Sequence, residues 1–215
     1  MRTLSSQFAG LSLSLVLFSG LSADSALKNP VAQAQQPAST AAPLPPTPTG
    51  LESGIVSNFD EGTTAAKFGS WTVSTDQLAG GTSTAEMKIV EGGANKSKSA
   101  LEITGNVTNA FTYPWAGVMF SPGTAPFTPA NLSSKKAIHF WARGDSHTYR
   151  VMIFTTSGGR IPAMKDLNLA PEWKEFTMPF SVFNGTDGHD IMAILFTASM
   201  ETGNFKFAVD EVRLD

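Results

Sequence analysis

The chain has 215 residues, of which 41% are hydrophobic and only 15% are charged, and its net charge is −3. The absence of cysteine excludes a disulfide scaffold, a thiolate nucleophile and a cysteine-ligated metal. Because the chain is net negative, it has no electrostatic reason to bind nucleic acid or an anionic membrane. Low charge together with 19 Gly favours an exported, β-rich domain over a cytosolic helical one.

The first 34 residues are typical of an export signal. Arg2 supplies a positive charge, and Phe8 to Leu21 form an apolar run that is shorter than a membrane span. A small-x-small pattern predicts cleavage after Ala34, and a similar pattern makes Ser25 the alternative. No Cys follows for a lipid anchor and no later segment stops transfer, so we expect no membrane insertion after signal removal. An exported domain without cysteine indicates a bacterial protein of the periplasm or the medium.

Two further segments follow the signal. Residues 35–50 (QQPASTAAPLPPTPTG) are uncharged and rich in Pro, Ala and Thr. This composition predicts a flexible, disordered spacer, because it offers too little apolar surface to offset the entropy of ordering. Residues 51–215 have the size of one domain, which we expect to be a monomer.

The predicted elements of this domain are all strands. Short β-prone runs alternate with turn residues such as Gly80-Gly81 and Gly158-Gly159, and no window has sustained helical spacing. Without alternating helices, about ten strands predict an all-β fold, an antiparallel β-sandwich of the jelly-roll type. The predicted strands are Gly54–Phe59, Lys67–Ser74, Glu86–Val90, Ala100–Thr104, Trp115–Ser121, Lys136–Arg143, Thr148–Thr155, Glu172–Phe180, Ile191–Ala198 and Asn204–Leu214.

Alternation within these strands predicts which side chains form the core. In the last strand the alternation slips by one residue at Asp210-Glu211, which predicts a β-bulge. In three middle strands, every second residue is apolar and faces the predicted core. That core set is Ala116, Val118, Phe120, Ile138, Phe140, Ala142, Val151 and Ile153.

The opposite side of the same three strands mixes aromatic, Met, His and Arg side chains, which is unusual for a solvent face. If these strands are neighbours, rings and guanidinium groups form one surface for a sugar or for a partner side chain. The alternative is that loops, especially Ser121–Asn131 with its three prolines, cover this side as a second core layer. The candidate ligand-binding residues are Trp115, Met119, His139, Trp141, Arg143 and Arg150, with Met152 beside them.

Several segments resemble the complex I intermediate-associated protein 30 family. They are SNFDEGT, GSWTVSTDQLAGGTSTAEM, WAGVMFSPG, FWARGD followed by YR, PEWKEF and the closing FAVDEVRLD. The resemblance covers nearly all of residues 51–215 and implies a galactose-binding-like β-jelly roll. Bacterial members look like accessory modules of secreted amidohydrolases. Because sugar-binding modules and assembly factors share this fold, the resemblance does not by itself specify a ligand.

No catalytic signature is present. The sequence has no nucleophile elbow, no H-E-x-x-H helix and no phosphate loop, and its three His residues have no ligand spacing. Paired carboxylates for glycoside hydrolysis would have to come from Glu172, Glu175, Asp187 and Asp190, whose separation the sequence does not give. We therefore expect no enzymatic activity and no catalytic cofactor.

Two acidic pairs suggest a structural metal. Asp60-Glu61 lies in the turn after the first strand, and Asp210-Glu211 lies at the predicted bulge. Sugar-binding jelly rolls similar to this one often hold calcium between these two places, so the resemblance implies a structural calcium bound by Asp60, Glu61 and Asp210. The alternative is a pair of solvated acidic turns.

Two functions are consistent with these observations. The first is an exported, non-catalytic binding module for carbohydrate or another envelope ligand. The second is a protein-interaction or assembly factor that uses the same surface for a partner protein. Neither involves nucleic acid.

Overall fold

The computed structural model describes residues 42–145, 147–159 and 161–215, so the predicted export signal and both cleavage sites lie outside the described residues. Four short 3₁₀ turns lie in this part of the chain, at Leu51–Ser53, Asp76–Ala79, Ala94–Lys96 and Phe180–Val182. The strands are β1 (Ile55–Ser57), β2 (Ser70–Thr75), β3 (Thr84–Glu91), β4 (Ser99–Val107), β5 (Trp115–Ser121), β6 (Ala137–Gly144), β7 (Thr148–Thr155), β8 (Ala163–Asn168), β9 (Lys174–Pro179), β10 (Ile191–Ser199) and β11 (Gly203–Leu214).

The strands form two antiparallel sheets. In the first, sheet A, the order is β3-β4-β11-β6-β9, and β1 also pairs with β11. In the second, sheet B, the order is β2-β5-β10-β7-β8. The inner faces of the two sheets bury one continuous hydrophobic core. The predicted all-β antiparallel sandwich is confirmed.

Each of the ten predicted strands corresponds to an observed one, but β8 was missed. β8 lies at the edge of sheet B, and Leu167 is its one fully buried residue. Because most of its side chains face solvent, the segment AMKDLN shows no alternation of apolar and polar residues.

The predicted core residues are all buried between the sheets. Aromatic rings connect the two layers, since the ring of Phe140 in sheet A lies 4.9 Å from that of Phe196 in sheet B. Within sheet B, the ring of Trp71 lies 6.0 Å from that of Phe196. The Trp71 indole also donates a hydrogen bond to the hydroxyl of Ser57 at 2.9 Å. Since the inward positions are fixed in this way, the alternate positions of each strand face outward.

The predicted bulge at Asp210-Glu211 is confirmed. Asp210 pairs with Trp141 and Arg213 pairs with His139, so three steps on β11 match two steps on β6. Glu211 absorbs the extra residue with a left-handed φ of 49°. The bulge turns Asp210 towards the β3–β4 loop.

The end of the predicted spacer touches the domain. Residues 42–48 have no regular secondary structure, yet the Asn131 N–H donates a hydrogen bond to the Pro46 carbonyl at 2.9 Å. The contacts of the domain therefore begin before residue 51. In the described residues, no helix has the length and apolar character needed to cross a membrane.

Candidate functional site

The six candidate ligand-binding residues lie on two different faces. β5 and β7 lie in sheet B on either side of β10, whereas β6 lies in sheet A between β11 and β9. The expectation of one shared surface is therefore wrong, because alternation defines which side a residue faces but not which sheet its strand joins. The outer face of sheet B carries Trp115, Met119 and Arg150, and the outer face of sheet A carries His139, Trp141 and Arg143.

One half of the outer face of sheet B is a small covered core. Met119 is only 3% exposed and packs with Met152 against Leu195 of β10. Phe154 lies at the margin of this cluster, and Phe127 from the loop between β5 and β6 meets it edge to face at 5.8 Å. Here a loop covers the sheet, as the second alternative expected. Met119 thus supports the face from beneath rather than contacting solvent.

The other half of this face carries an aromatic group. Trp115 is half-buried, and its indole N–H donates to the Ser74 hydroxyl of β2 at 3.2 Å. Ser74 lies opposite Gly117, so the indole crosses the sheet beside a position that has no side chain. Phe111 packs edge to face against Trp115 at 6.0 Å, and Tyr113, between them in sequence, is 71% exposed. We call Phe111, Tyr113 and Trp115 the aromatic group.

Arg150 lies between these two halves. Its Nε donates to Asp166 of β8 at 2.5 Å, and its Nη1 donates to the Ser199 hydroxyl of β10 at 3.3 Å. The guanidinium is therefore held from both neighbouring strands, while the Asp166 carboxylate stays largely exposed. Ligand-binding sites commonly place a few polar groups, such as the Arg150 donor and the Asp166 acceptor, among apolar side chains.

The candidates on the outer face of sheet A are engaged with their own neighbours. Nε2 of His139 hydrogen-bonds to Asp215 at 2.7 Å. The Arg143 guanidinium lies 4.6 Å over the ring of Trp173, a cation–π contact. Trp141 is half-buried. This face is therefore held together mainly by contacts within itself.

Two of the three candidate metal ligands come together. The Ser97 hydroxyl donates to Asp60 at 2.7 Å, and both this hydroxyl and the Asp210 carboxylate lie beside Gly93. Glu61 lies apart, because its exposed side chain pairs with Lys67 at 3.6 Å. The structure thus brings Asp60 and Asp210 to the β3–β4 loop and leaves Glu61 out.

The electrostatics of this pair differ between the two carboxylates. Burial raises the pKa of Asp210 to about 6, although N–H donors from Ala94 and Glu211 oppose the shift. The hydrogen bond from Ser97 is the main reason that the pKa of Asp60 is lowered.

Further oxygen atoms lie beside this pair of carboxylates. The carbonyl oxygens of Asn58 and Ser99 lie 3.5 and 3.0 Å from the Ser97 hydroxyl, beside the two carboxylates of Asp60 and Asp210. Calcium prefers oxygen ligands of this kind. Across residues 42–145, 147–159 and 161–215, however, no three His, Cys, Asp or Glu side chains are grouped so as to hold a metal ion.

The sequence did not single out Tyr113, Phe127 or Asp166. A signal existed for Tyr113, since F-T-Y-P-W places three aromatic residues within five positions. Phe127 stands in a Pro-rich loop and Asp166 in the missed strand, so neither had a pattern around it.

The fold defines a class of proteins, the β-sandwiches that include carbohydrate-binding modules. The chain is similar to the family 11 carbohydrate-binding module of the cellulosomal cellulase Lic26A-Cel5E of Clostridium thermocellum, with 21% identity, a TM-score of 0.55, and coverage of 74% of this chain and 92% of that one. A family 11 module from the same organism, in complex with a β-1,3-1,4-mixed-linked tetrasaccharide, gives 21% identity, a TM-score of 0.52, and coverage of 67% and 87%. An exo-β-agarase gives 8% identity, a TM-score of 0.51, and coverage of 76% of this chain and 24% of that one. At these identities the likeness shows the fold alone.

Residues 58–197 match the family of complex I intermediate-associated protein 30, and the chain belongs to that family. The predicted resemblance to this family is confirmed over this range, which includes the segments from NFDEGT to PEWKEF, whereas FAVDEVRLD lies beyond it. No curated protein matches the chain.

Proposed function

We propose that this chain is an exported, non-catalytic binding module that recognises carbohydrate on the outer face of sheet B. The observation that carries the proposal is the fixed Arg150–Asp166 pair, which lies between the aromatic group and the Phe127–Phe154 margin. The fold shared with carbohydrate-binding modules supports it.

The chemistry of this face suits a sugar. Aromatic rings offer flat apolar area to the C–H face of a pyranose, and the contacting rings of Phe111 and Trp115 supply such area on this face. The Asp166 carboxylate accepts hydrogen bonds from hydroxyl groups, and the guanidinium of Arg150 donates to ring or hydroxyl oxygens. Because Arg150 is already held by two strands, a ligand would lose little side-chain entropy in engaging it.

A protein partner is the second candidate function. The exposed side chains of Phe127 and Met164 on the same face favour it, since exposed apolar groups on one surface often mark protein contacts. The family name, which refers to an association with complex I intermediates, points the same way.

Two further features belong to the proposal. The apolar run from Phe8 to Leu21 supports export to the periplasm or the medium. A structural calcium bound by Asp60 and Asp210 would join the turn after β1 to the bulge of β11 and would relieve the cost of burying Asp210.

Affinity electrophoresis tests the proposal with gels that contain mixed-linked β-glucan, xylan, galactan or agarose. We expect at least one polysaccharide to retard the protein, and we expect Arg150→Gln to weaken that binding about tenfold. The matched control is Arg213→Gln, because Arg213 forms a similar pair with Glu175 at 2.9 Å on the outer face of sheet A. Equal loss in both variants would contradict the choice of face, and no retardation in any gel would contradict carbohydrate binding.

The partner alternative has its own readout. Capture from the native envelope with the wild-type chain and with Phe127→Ser compares a protein ligand directly. A partner retained by wild type and lost in the variant, together with no retardation by polysaccharide, would favour the assembly function.

A further inference from the structure

A cavity of about 340 Å³ opens at one end of the sandwich, away from the outer faces of both sheets. One wall is the turn between β7 and β8, with Ser157, Gly158 and Ile161. The other wall is formed by residues 183–187 and His189, which precede β10. We call this cavity the end pocket.

The lining of the end pocket is rich in neutral hydrogen-bonding groups. Two hydroxyls are fixed by their own contacts: the Gly158 N–H donates to the Thr155 hydroxyl at 2.9 Å, and the Ser157 hydroxyl donates to the same oxygen at 3.2 Å. A buried carboxylate anchors this turn, because Asp190 accepts a hydrogen bond from the Ser157 N–H at 2.7 Å. The polar lining side chains are Thr155, Ser157, Asn184, Thr186, Asp187 and His189.

Asp187 and His189 form a hydrogen-bonded pair. Their direct hydrogen bond is the main reason that the pKa of Asp187 is lowered and that of His189 is raised. The hydrogen bonds from the His189 ring and N–H hold this carboxylate acceptor in place at the pocket. Such a carboxylate accepts hydrogen bonds from ligand hydroxyls more strongly than a neutral oxygen does.

An apolar side chain stands at the opposite lip. Ile161 is 77% exposed although it is large and apolar, and it lines the pocket together with Phe183 and Ala163. An apolar side chain beside hydroxyl groups and opposite a carboxylate matches a molecule with C–H bonds on one side and hydroxyls around its rim. The volume is at the low end of small-ligand sites, which limits the occupant to a small ring.

We propose that the end pocket binds a single neutral pyranose, such as the terminal residue of a glycan chain. Asp187 and the hydroxyls of Thr155 and Ser157 would hydrogen-bond to the sugar hydroxyls, and Ile161 would cover its C–H face. This site goes beyond binding on the outer face of sheet B and does not depend on it. A module with both sites would engage the side and the end of glycan chains, which raises avidity on a polysaccharide surface.

The test is a ¹H–¹⁵N titration of the labelled protein with the methyl glycosides of D-glucose, D-galactose and D-mannose and with N-acetylglucosamine. For at least one of them we expect saturable shifts of the amides of Ser157, Gly158, Thr186 and His189. Asp187→Asn should weaken this binding about tenfold, because a charged acceptor is lost. Its control is Glu91→Gln, an exposed carboxylate on β3.

A second pair of variants tests the apolar lip. Ile161→Ser should weaken binding several-fold, whereas Leu78→Ser, at a residue that is 69% exposed in the Asp76–Ala79 turn, should not. Both Asp187 and Ile161 are exposed, so each variant should shift the melting curve only slightly.

Three results would overturn the inference. The first is the absence of shifts at the end pocket with all four probes. The second is shifts confined to the outer face of sheet B, around Tyr113 and Arg150, which would support the proposed function while removing this site. The third is equal weakening by Asp187→Asn and Glu91→Gln. Conversely, glycoside binding at the end pocket of the Arg150→Gln variant would support this inference, even if no polysaccharide binds the protein.

Discussion

Replacing Trp115 by Ala separates a ring that packs on the sheet from a ring that only contacts ligand. The indole is half-buried against the cluster of Met119 and Leu195, and it hydrogen-bonds to the Ser74 hydroxyl at 3.2 Å. Truncating a fully buried Trp costs about 3–5 kcal/mol, so a half-buried one should cost about 2 kcal/mol. Ser74 is itself buried, and losing its partner adds about 1 kcal/mol. We therefore expect Trp115→Ala to lose about 3 kcal/mol of unfolding free energy.

Two companion variants are compared with Trp115→Ala. Trp115→Phe keeps an aromatic ring but removes the indole N–H, so it should lose about 1 kcal/mol. Trp141→Ala removes a half-buried ring from the outer face of sheet A and should lose about 2 kcal/mol. Equilibrium urea denaturation followed by circular dichroism measures all three. The same samples run in affinity gels report binding, which we expect to fall in Trp115→Ala and to stay unchanged in Trp141→Ala.

A loss of unfolding free energy in Trp115→Ala that is much smaller or much larger than expected would refute the reasoning. A loss below about 1 kcal/mol would mean that the indole does not pack across Gly117 onto β2, and a loss above about 5 kcal/mol would make Trp115 a core residue. Weaker binding by Trp141→Ala, with Trp115→Ala unaffected, would move the ligand to the outer face of sheet A.

Three further predictions concern other parts of the chain. If calcium joins Asp60 and Asp210, the melting temperature should fall on adding chelator and recover with calcium, and Asp210→Asn should abolish that response; an unchanged melt of metal-stripped protein would exclude the metal. N-terminal sequencing of protein taken from the envelope should find a start after Ala34, and an intact Met1 in a cytosolic form would contradict export. Gly81→Ala should lose about 2 kcal/mol in urea denaturation, because a β-carbon there would overlap the buried carboxyl group of Asp76; a neutral effect would show that this turn can relax.

The sequence predicted the parts of the fold that depend on local pattern. Alternation in strands such as Trp115–Ser121 correctly placed Val118 and Phe120 in the core, and the slip at Asp210-Glu211 correctly placed a bulge. These features are local, since a strand with one buried face must alternate with a period of two. β8 shows the limit of the method, because an edge strand with one fully buried residue has almost no pattern to detect.

The alternation of apolar and polar residues could not predict the order of the strands in the sheets. β5 pairs with β2 and with β10, so partners lie tens of residues apart in either direction along the chain. Pairing is decided by tertiary packing, which single strands do not encode in their alternation. For this reason the residues of β6 were grouped with those of β5 and β7. The Arg150–Asp166 pair was missed as well, because it needs both the strand order and the presence of β8.

The two outer faces carry similar charged pairs in different settings, and the difference favours sheet B as the ligand face. The Arg213 and Glu175 side chains are 41% and 43% exposed, so solvent screens their pair and it orders little. The Arg150 side chain is 18% exposed and is held by both Asp166 and Ser199. Folding has already fixed the Arg150 donor, while Asp166 remains open to a ligand. A ligand that binds there meets an ordered donor and acceptor beside aromatic rings, whereas a ligand of the Arg213–Glu175 pair would first have to order those two side chains.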